Sequence, residues 1–222
     1  MIRNLAKFVV ILSVACLVIG GGVAALYGLY RGDIERRELQ DQKAAIQAVC
    51  PPGTDADLDH PIAGRPPDPV KGLDPEAVYV VRTSIGPVTV VDGRAQPTAY
   101  IAQGEAQGYS SVIKVMVGAS AEDFSVIRVV VLSQQETPGL GATVAETRST
   151  WTLWQKLFGS GEAEEWVNAF LDQFKGKQAQ EFPQIHSITA ATITSNATKR
   201  AVQQALERIR QAVGASAAGG RD

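Results

Sequence analysis

The strongest hydrophobic pattern is one run near the start of the chain, Phe8 to Tyr30 (FVVILSVACLVIGGGVAALYGLY), which contains no charged residue. As a helix it would be roughly 34 Å long, enough to cross a hydrocarbon core of about 30 Å. A cleaved signal peptide is the alternative, but its apolar region usually spans only about 7–15 residues. An aromatic and basic border at Tyr27, Tyr30 and Arg31 suits a membrane interface. The pattern therefore predicts a retained transmembrane helix within residues 1–31.

Polar residues return after this run in two different patterns. RGDIERRELQDQKAAIQAVC, which starts at Arg31, is rich in helix formers and predicts a stalk. Residues 51–75 hold seven of the eleven prolines with little periodicity, which predicts a loop or an extended wrapping segment. We therefore expect residues 32–76 to form a stalk helix and a Pro-rich connector.

From Ala77 onward the pattern becomes β-rich. AVYVVRT and GPVTVVDG lie between turn residues, and only SAED separates SVIKVMVGA from FSVIRVVVLS. In SVIKVMVGA the apolar face holds Ile113, Val115 and Val117, with Lys114 on the other face. In FSVIRVVVLS two sets alternate: Ile127, Val129 and Val131 against Val126, Arg128 and Val130. Period two with β-branched residues predicts strands, and the short gap predicts an antiparallel hairpin.

Helical spacing follows in three places. The apolar stripes are Trp151, Trp154 and Phe158; then Trp166, Phe170 and Phe174; then Val202, Leu206, Ile209 and Val213. We expect the aromatic residues to lie in the core, with contact to a cofactor or partner as the alternative. The predicted fold class is α+β, with a single N-terminal transmembrane helix followed by an antiparallel sheet packed with helices. The soluble domain is expected over residues 77–213, followed by a disordered tail over 214–222.

Composition narrows the possible functions. The chain has 222 residues and a net charge of −2, which does not suggest a nucleic-acid surface. Cys16 lies inside the apolar run and cannot sensibly pair with Cys50, so no disulfide or cysteine-based metal site follows. His60 and His186 are isolated in the sequence, which argues against a protein-built zinc site.

Two stretches carry candidate chemistry. The first is SQQETPGLGAT, Ser133 to Thr143, directly after the last predicted strand. Pro138 fixes φ, while Gly139 and Gly141 permit positive φ and leave no side chain in the way. Such a loop can bring backbone N–H groups close to a flat or anionic ligand. A tight strand-to-helix turn is the structural alternative.

The second stretch is ITAATITSNATKRAV, Ile188 to Val202, where several hydroxyl residues precede or begin the last predicted helix. Free N–H groups and the helix dipole at such a terminus favour a phosphate. The alternative is ordinary capping of the helix by Thr194 or Ser195.

Together these stretches resemble the FMN-binding domain of the G subunit of Rnf electron-transport complexes, a relation of the C subunit of sodium-pumping NADH:quinone reductase. The resemblance covers roughly Ala77 to Val213, with ETPGLG followed in the expected order by ITAATITS. In that family the FMN phosphate is esterified to a threonine in the motif Asp, two variable residues, Ser or Thr, Gly, Ala, Thr. The motif falls here on residues 186–192 and implies Thr192 as the acceptor. The chain departs from it at His186, in place of aspartate, and at Ala190, in place of glycine.

The resemblance implies a set of cofactor-binding residues: Thr192 (covalent FMN), Thr189, Ala190, Ala191, Ile193, Thr194, Glu136, Thr137, Gly139, Leu140 and Gly141. Alanine at position 190 is costly if that residue has positive φ. Histidine at position 186 removes an acceptor and can add a donor. Either change can weaken attachment of the flavin, or reflect a transferase adapted to this variant.

The function implied by the resemblance is electron transfer through covalent FMN by a membrane-anchored subunit of a Rnf-like ion-translocating oxidoreductase complex. It implies no catalytic acid, base or nucleophile and no metal. Its partners would be the other membrane subunits, a flavin transferase for maturation and membrane lipid, with no nucleic acid. The implied location is the inner membrane, with a cytoplasmic tip and the soluble domain on the periplasmic face. The alternatives are a flavin-free structural subunit and a stand-alone membrane-anchored FMN-domain reductase.

Overall fold

The computed structural model describes residues 2–51, 53–67, 73–83, 90–91, 94–95, 97–146, 148–149 and 166–219. Its helices and strands are α1 (Ile2–Val49), β1 (Thr54–Asp57), β2 (Val78–Thr83), β3 (Val90–Val91), β4 (Arg94–Ala95), β5 (Ala99–Gln107), β6 (Val112–Ser120), β7 (Val126–Ser133), β8 (Arg148–Ser149), β9 (Trp166–Val167) and α2 (Thr192–Gly219). Short 3-10 helices lie at Gly141–Val144, Leu171–Phe174 and Ala179–Gln184. This arrangement confirms the α+β class.

The main sheet has the strand order β1-β2-β5-β6-β7, and each neighbouring pair is antiparallel. The predicted β6–β7 hairpin is confirmed. The Pro-rich connector contributes the edge strand β1, which pairs with β2 from Thr54↔Thr83 to Asp57↔Val80. The part of this segment that forms β1 is therefore extended.

Helix α2 covers one face of the sheet. Three residues of its predicted stripe, Val202, Leu206 and Ile209, have 0% exposure in the same core cluster as the apolar face of β6, and Val213 is partly buried against that cluster. The helix lies so close to β5 that a Cβ on Gly104 would collide with the carbonyl of Ala201. Strand β5 was not predicted from the sequence. Its alanines, glutamines and glycine have low β-propensity, yet small residues there let the helix approach.

The end of α1 covers the opposite face. Ala45, Ile46 and Val49 are buried in a second core cluster, and the Val49 side chain occupies the space where Gly118 has no Cβ. Arg128 donates a hydrogen bond from its guanidinium to the carbonyl of Ala48 at 3.2 Å. From Val115 to Ala119, strand β6 is therefore buried on both faces, which is why this part reads as a continuous apolar run.

The apolar part of α1 lies outside this core. The segment Ile11–Gly32 spans 22 residues, and its most apolar 18-residue window has a mean hydropathy of 2.1, with none of that window buried. By length and composition it can cross a membrane, although a signal sequence near an N-terminus would meet the same criteria. The helix continues without a break through the predicted stalk to Val49.

Two sequence predictions need correction. A β-bulge between Gly118 and Ala119 shifts the β6–β7 register, so that Val126 rather than Ile127 shares the α2-facing side with Val129. The stripe from Trp166 to Phe174 does not form an α-helix, because Trp166–Val167 is a strand and Leu171–Phe174 a 3-10 helix.

Other predictions have mixed outcomes. Phe170 and Phe174 are buried at 5% and 0% exposure, which confirms their core role. Only part of GPVTVVDG is described, and there Val90–Val91 pairs with Arg94–Ala95. Helix α2 continues to Gly219, beyond the expected domain end at Val213. The stripe of Trp151, Trp154 and Phe158 lies outside the described residues.

Candidate functional site

Glu136 joins three segments that are distant in the sequence. Its Oε1 accepts hydrogen bonds from the backbone N–H groups of Ser110 and Ser111, at 3.0 and 2.9 Å, in the β5–β6 turn. Its Oε2 accepts a hydrogen bond from the Thr194 hydroxyl at 2.7 Å, in the first turn of α2. The side chain is only 6% exposed. One buried carboxylate therefore holds together the Glu136–Gly141 loop, the start of α2 and a turn that the sequence did not single out.

The ionisation of Glu136 follows from these contacts. Burial acts to raise the pKa of Glu136, but the hydrogen bonds from Thr194, Ser111 and Ser110 outweigh it and hold the pKa below its usual value. The group is consequently a carboxylate at neutral pH and acts only as an acceptor. The Thr194 hydroxyl must then be the donor, which fixes its orientation at the edge of the cleft.

The two loop glycines serve different purposes. Gly139 has φ of +73°, a conformation that glycine adopts without strain. Gly141 is needed for close approach instead, since a Cβ would lie 2.7 Å from Thr194 Oγ1 and 2.8 Å from Glu136 Oε2. In the adjoining turn, a Cβ on Gly108 would lie 2.6 Å from Glu136 Oε1. Gly108 and Gly141 therefore lie against the Glu136 carboxylate on two sides.

The hydroxyl residues around the start of α2 fall into two groups. Thr194, Ser195 and Thr198 are buried, with exposures of 2%, 0% and 0%. Thr189 and Thr192 are exposed, and neither hydroxyl makes a hydrogen bond to another described residue. Of the five hydroxyls, these two are the ones accessible to a reagent or ligand.

The capping alternative for Thr194 and Ser195 is wrong. Helix α2 begins at Thr192, so both residues lie inside its first turn rather than before it. The Ser195 hydroxyl donates to the carbonyl of Ala191 at 2.9 Å and accepts from the N–H of Ile188 at 3.0 Å. Neither side chain accepts from a first-turn N–H group among the described residues. Those N–H groups have no intrahelical partner in any α-helix and remain suited to an anion.

The chain has an unusual backbone conformation two residues before this helix start. Ala190 has φ of +62°, the left-handed region that favours glycine. The motif departure at this position therefore falls where a Cβ is costly. The other departure, His186, is exposed, and its backbone N–H donates to Gln173 Oε1 at 2.8 Å. A residue of the neighbouring 3-10 helix thus fixes the main chain at position 186.

A cleft of about 220 Å³ opens between these segments. It is lined by Tyr109, Glu136, Thr137, Leu140, Gly141, Ala190, Ala191, Thr192, Ile193 and Thr194. Every predicted site residue lines it except Thr189 and Gly139. Tyr109 was missed, as were the supporting Ser110 and Ser111. The clue to them is GYSS placed between two strands, which has meaning only once β5 is recognised.

Comparison with known proteins agrees with this geometry. The FMN-binding domain family matches residues 108–207, a range that contains all three segments joined by Glu136. The G subunit of the ion-translocating oxidoreductase complex of Vibrio cholerae is 30% identical over 212 residues, covering 95% of this chain and 93% of the relative. The chain belongs to this family of G subunits.

Other members of the family are more distant in sequence but similarly complete in coverage. The G subunit of the ion-translocating oxidoreductase complex of Pseudomonas aeruginosa is 28% identical over 215 residues, covering 92% of this chain and 88% of the relative. The G subunit of the proton-translocating ferredoxin:NAD(+) oxidoreductase complex of Clostridium ljungdahlii is 25% identical over 207 residues, covering 89% and 88%. The matches extend over the N-terminal helix as well as the sheet, and the resemblance drawn from the two motifs is confirmed.

Proposed function

We propose that this chain is a membrane-anchored flavoprotein subunit that carries electrons through an FMN esterified to Thr192, within a Rnf-like ion-translocating oxidoreductase complex. Membership of the family of G subunits supports the complex, and the match to the FMN-binding domain family supports the cofactor. The observation that carries the attachment site is the exposed Thr192, first residue of α2, on the wall of the cleft.

The residues of the cleft fit a phosphate ester at this position. Thr192 presents a hydroxyl at the end of α2 where N–H groups and the helix dipole favour an anion. Its buried neighbour Thr194 is committed to Glu136 and cannot compete for the flavin. Thr189 and the first-turn N–H groups would hold the phosphate, and the Glu136–Gly141 loop would border the ring. FMN supplies the redox chemistry when bound, while the chain supplies position and electrostatics.

Attachment requires a second protein. The Thr192 oxygen would attack the pyrophosphate of FAD, forming the new O–P bond to FMN and breaking the bond to AMP. The hydroxyl proton leaves with this step, so nothing is oxidised or reduced. We assign the reaction to a flavin transferase, because the described residues around Thr192 offer no base to activate its hydroxyl: the nearby Glu136 accepts hydrogen bonds at both oxygens.

The apolar part of α1 would anchor the subunit. Ile11–Gly32 contains no carboxylate or lysine, so an ion path is assigned to partner subunits rather than to this helix. Lipid would surround the helix, and the soluble domain would lie on the periplasmic face of the inner membrane, as the family resemblance implies. The buried end of α1 would connect the membrane segment directly to the domain core.

Purification of the full chain in mild detergent, after co-expression with a flavin transferase, tests this function. We expect a yellow protein whose flavin stays on the denatured chain and fluoresces in a gel, together with co-purifying membrane subunits. A flavinylated chain that purifies alone would contradict the complex and favour a stand-alone reductase.

A flavin-free structural subunit is the second candidate, and the alanine at a positive φ favours it. The strain at Ala190 lies two residues before the acceptor and can misplace it for the transferase. The same preparation decides between the two functions. A colourless chain of unmodified mass that still brings its partner subunits would contradict the carrier function and support the structural one.

A further inference from the structure

Exposed apolar side chains concentrate at the cleft. Beyond residue 32, the described large hydrophobic residues with high exposure are Tyr109 (70%), Val112 (41%), Leu140 (44%) and Ile193 (54%). Tyr109, Leu140 and Ile193 line the cleft, and we call these three the apolar collar. Clustered exposure of this kind marks a binding surface, whereas single exposed apolar residues need no explanation.

Each collar residue comes from a different segment. Tyr109 lies in the β5–β6 turn, Leu140 in the loop after β7, and Ile193 in the first turn of α2. Glu136 joins the same three segments through Ser110, Ser111 and Thr194. The position of the collar is therefore set by hydrogen bonds to one buried carboxylate, Glu136, which distinguishes it from a chance grouping of surface residues.

The collar also lies beside the proposed attachment point, since Ile193 directly follows Thr192. A flavin esterified at Thr192 carries a planar aromatic ring on a flexible chain. A tethered ring has a high effective concentration at nearby sites, so an adjacent apolar surface favours the ring over a ligand from solution. Aromatic side chains contact such rings favourably, beyond what the burial of apolar area alone contributes.

We infer that the apolar collar binds the isoalloxazine ring and that Tyr109 is its aromatic contact, a role that rests on the proposed function for the identity of the ring. Tyr109 is a positioning residue that neither supplies nor accepts the transferred electrons. Leu140 and Ile193 provide the remaining apolar surface. A partner subunit that docks on the same surface is the competing occupant.

The test uses the full chain in detergent, made without a flavin transferase, and titrates free FMN while following its fluorescence. The ring contact predicts saturable binding that is roughly three- to tenfold weaker in Tyr109→Ser and within about twofold of wild type in Tyr109→Phe. Val112→Ser is the matched control, because it removes an exposed apolar side chain near the same turn that does not line the cleft. We expect FMN binding by this control to match wild type.

Absence of saturable binding in the wild type, or equal binding by wild type and Tyr109→Ser, would overturn the inference. Equal FMN binding with loss of co-purifying subunits in Tyr109→Ser would assign the collar to a partner. Melting temperatures of the unmodified variants should stay at the wild-type value, since Tyr109 is 70% exposed. Because no covalent flavin is used, failure of attachment at Thr192 would leave this result standing and is recognised separately by mass.

Discussion

The two segments that meet at the cleft each contain a residue in the left-handed region, but they fill it differently. In the loop after β7 the residue is Gly139, with φ of +73° and open space around it. Before α2 the residue is Ala190, with φ of +62°. A left-handed backbone conformation costs a non-glycine residue roughly 1–2 kcal/mol. The loop is therefore free of this strain at Gly139, whereas the segment before α2 carries it at Ala190.

The difference between the two segments shows how a motif departure is tolerated. The backbone around Ala190 is held by several independent hydrogen bonds: Ala191 N–H to Ile188 O, Ile188 N–H to Ser195 Oγ, and His186 N–H to Gln173 Oε1. Strain of this kind persists when the surroundings over-determine the conformation. The strain also sits beside the proposed attachment residue, where it affects function more than folding.

The largest expected effect comes from removing the link between the two segments. Glu136→Ala leaves the N–H groups of Ser110 and Ser111 and the Thr194 hydroxyl without their acceptor. We expect a loss of about 2–4 kcal/mol in the free energy of unfolding. Urea denaturation of the full chain in detergent measures it, with Glu105→Ala on the exposed part of β5 as the control. A loss no larger than that of the control would show that the segments hold together without Glu136.

Alanine substitutions at the two loop glycines should destabilise the chain by different amounts, because they act by different mechanisms. Gly141→Ala puts a Cβ against Glu136 and Thr194, and overpacking of this kind costs about 1–3 kcal/mol. Gly139→Ala meets open space and suffers only the backbone penalty, about 1 kcal/mol. Denaturation curves should rank Gly141→Ala as less stable than Gly139→Ala. The reverse ranking would mean that the crowding at Gly141 relaxes easily.

Replacing the strained Ala190 should stabilise the chain, whereas the two glycine substitutions should destabilise it. Ala190→Gly removes the penalty of the left-handed backbone conformation but increases the conformational entropy of the unfolded chain. We expect a net gain of up to about 1 kcal/mol in the free energy of unfolding. We also expect more complete flavinylation by a transferase, measured as the modified fraction in intact-mass spectra. His186→Asp is the paired variant and should change stability by less than about 0.5 kcal/mol, because the side chain is exposed. A less stable Ala190→Gly variant would show that position 190 carries no strain.

Acidification should produce the smallest effect on the same network. The folded pKa of Glu136 is lowered by hydrogen bonds despite burial, so as pH falls the unfolded chain takes up the proton first. Its contribution to stability is complete above the unfolded pKa and declines as pH falls through the folded pKa. Between about pH 7 and pH 3, stability should therefore fall less steeply in Glu136→Gln than in wild type. Parallel curves would contradict the assignment of the lowered pKa to this carboxylate.

The sequence predicted those parts of the fold in which side chains alternate strongly. The β6–β7 hairpin and the stripe of α2 follow from β-branched and aliphatic spacing. Strand β5 was missed because packing against α2 selects small residues such as Gly104, and such residues carry little strand propensity. The face of Ile127 was assigned wrongly because a β-bulge has no clear sequence signature.

The residues of the candidate site were likewise predicted only in part. The two motifs contain most residues that line the cleft, since a glycine-rich loop and a hydroxyl-rich helix start are recognisable in sequence. Tyr109 and Ser111 could not be found, because their relevance depends on a turn whose first strand was missed. The residue types alone also could not distinguish Thr192 from Thr194, and burial now separates them.

The most direct test of the central claim is the intact mass of the full chain after co-expression with a flavin transferase. Wild type and Thr189→Ala should each gain the mass of one FMN less water, while Thr192→Ala should gain nothing. Thr192 is exposed at the first position of α2, so Thr192→Ala should keep the wild-type melting temperature and its loss of flavin cannot be attributed to unfolding. An FMN adduct on Thr192→Ala, or no adduct on wild type, would contradict Thr192 as the attachment point.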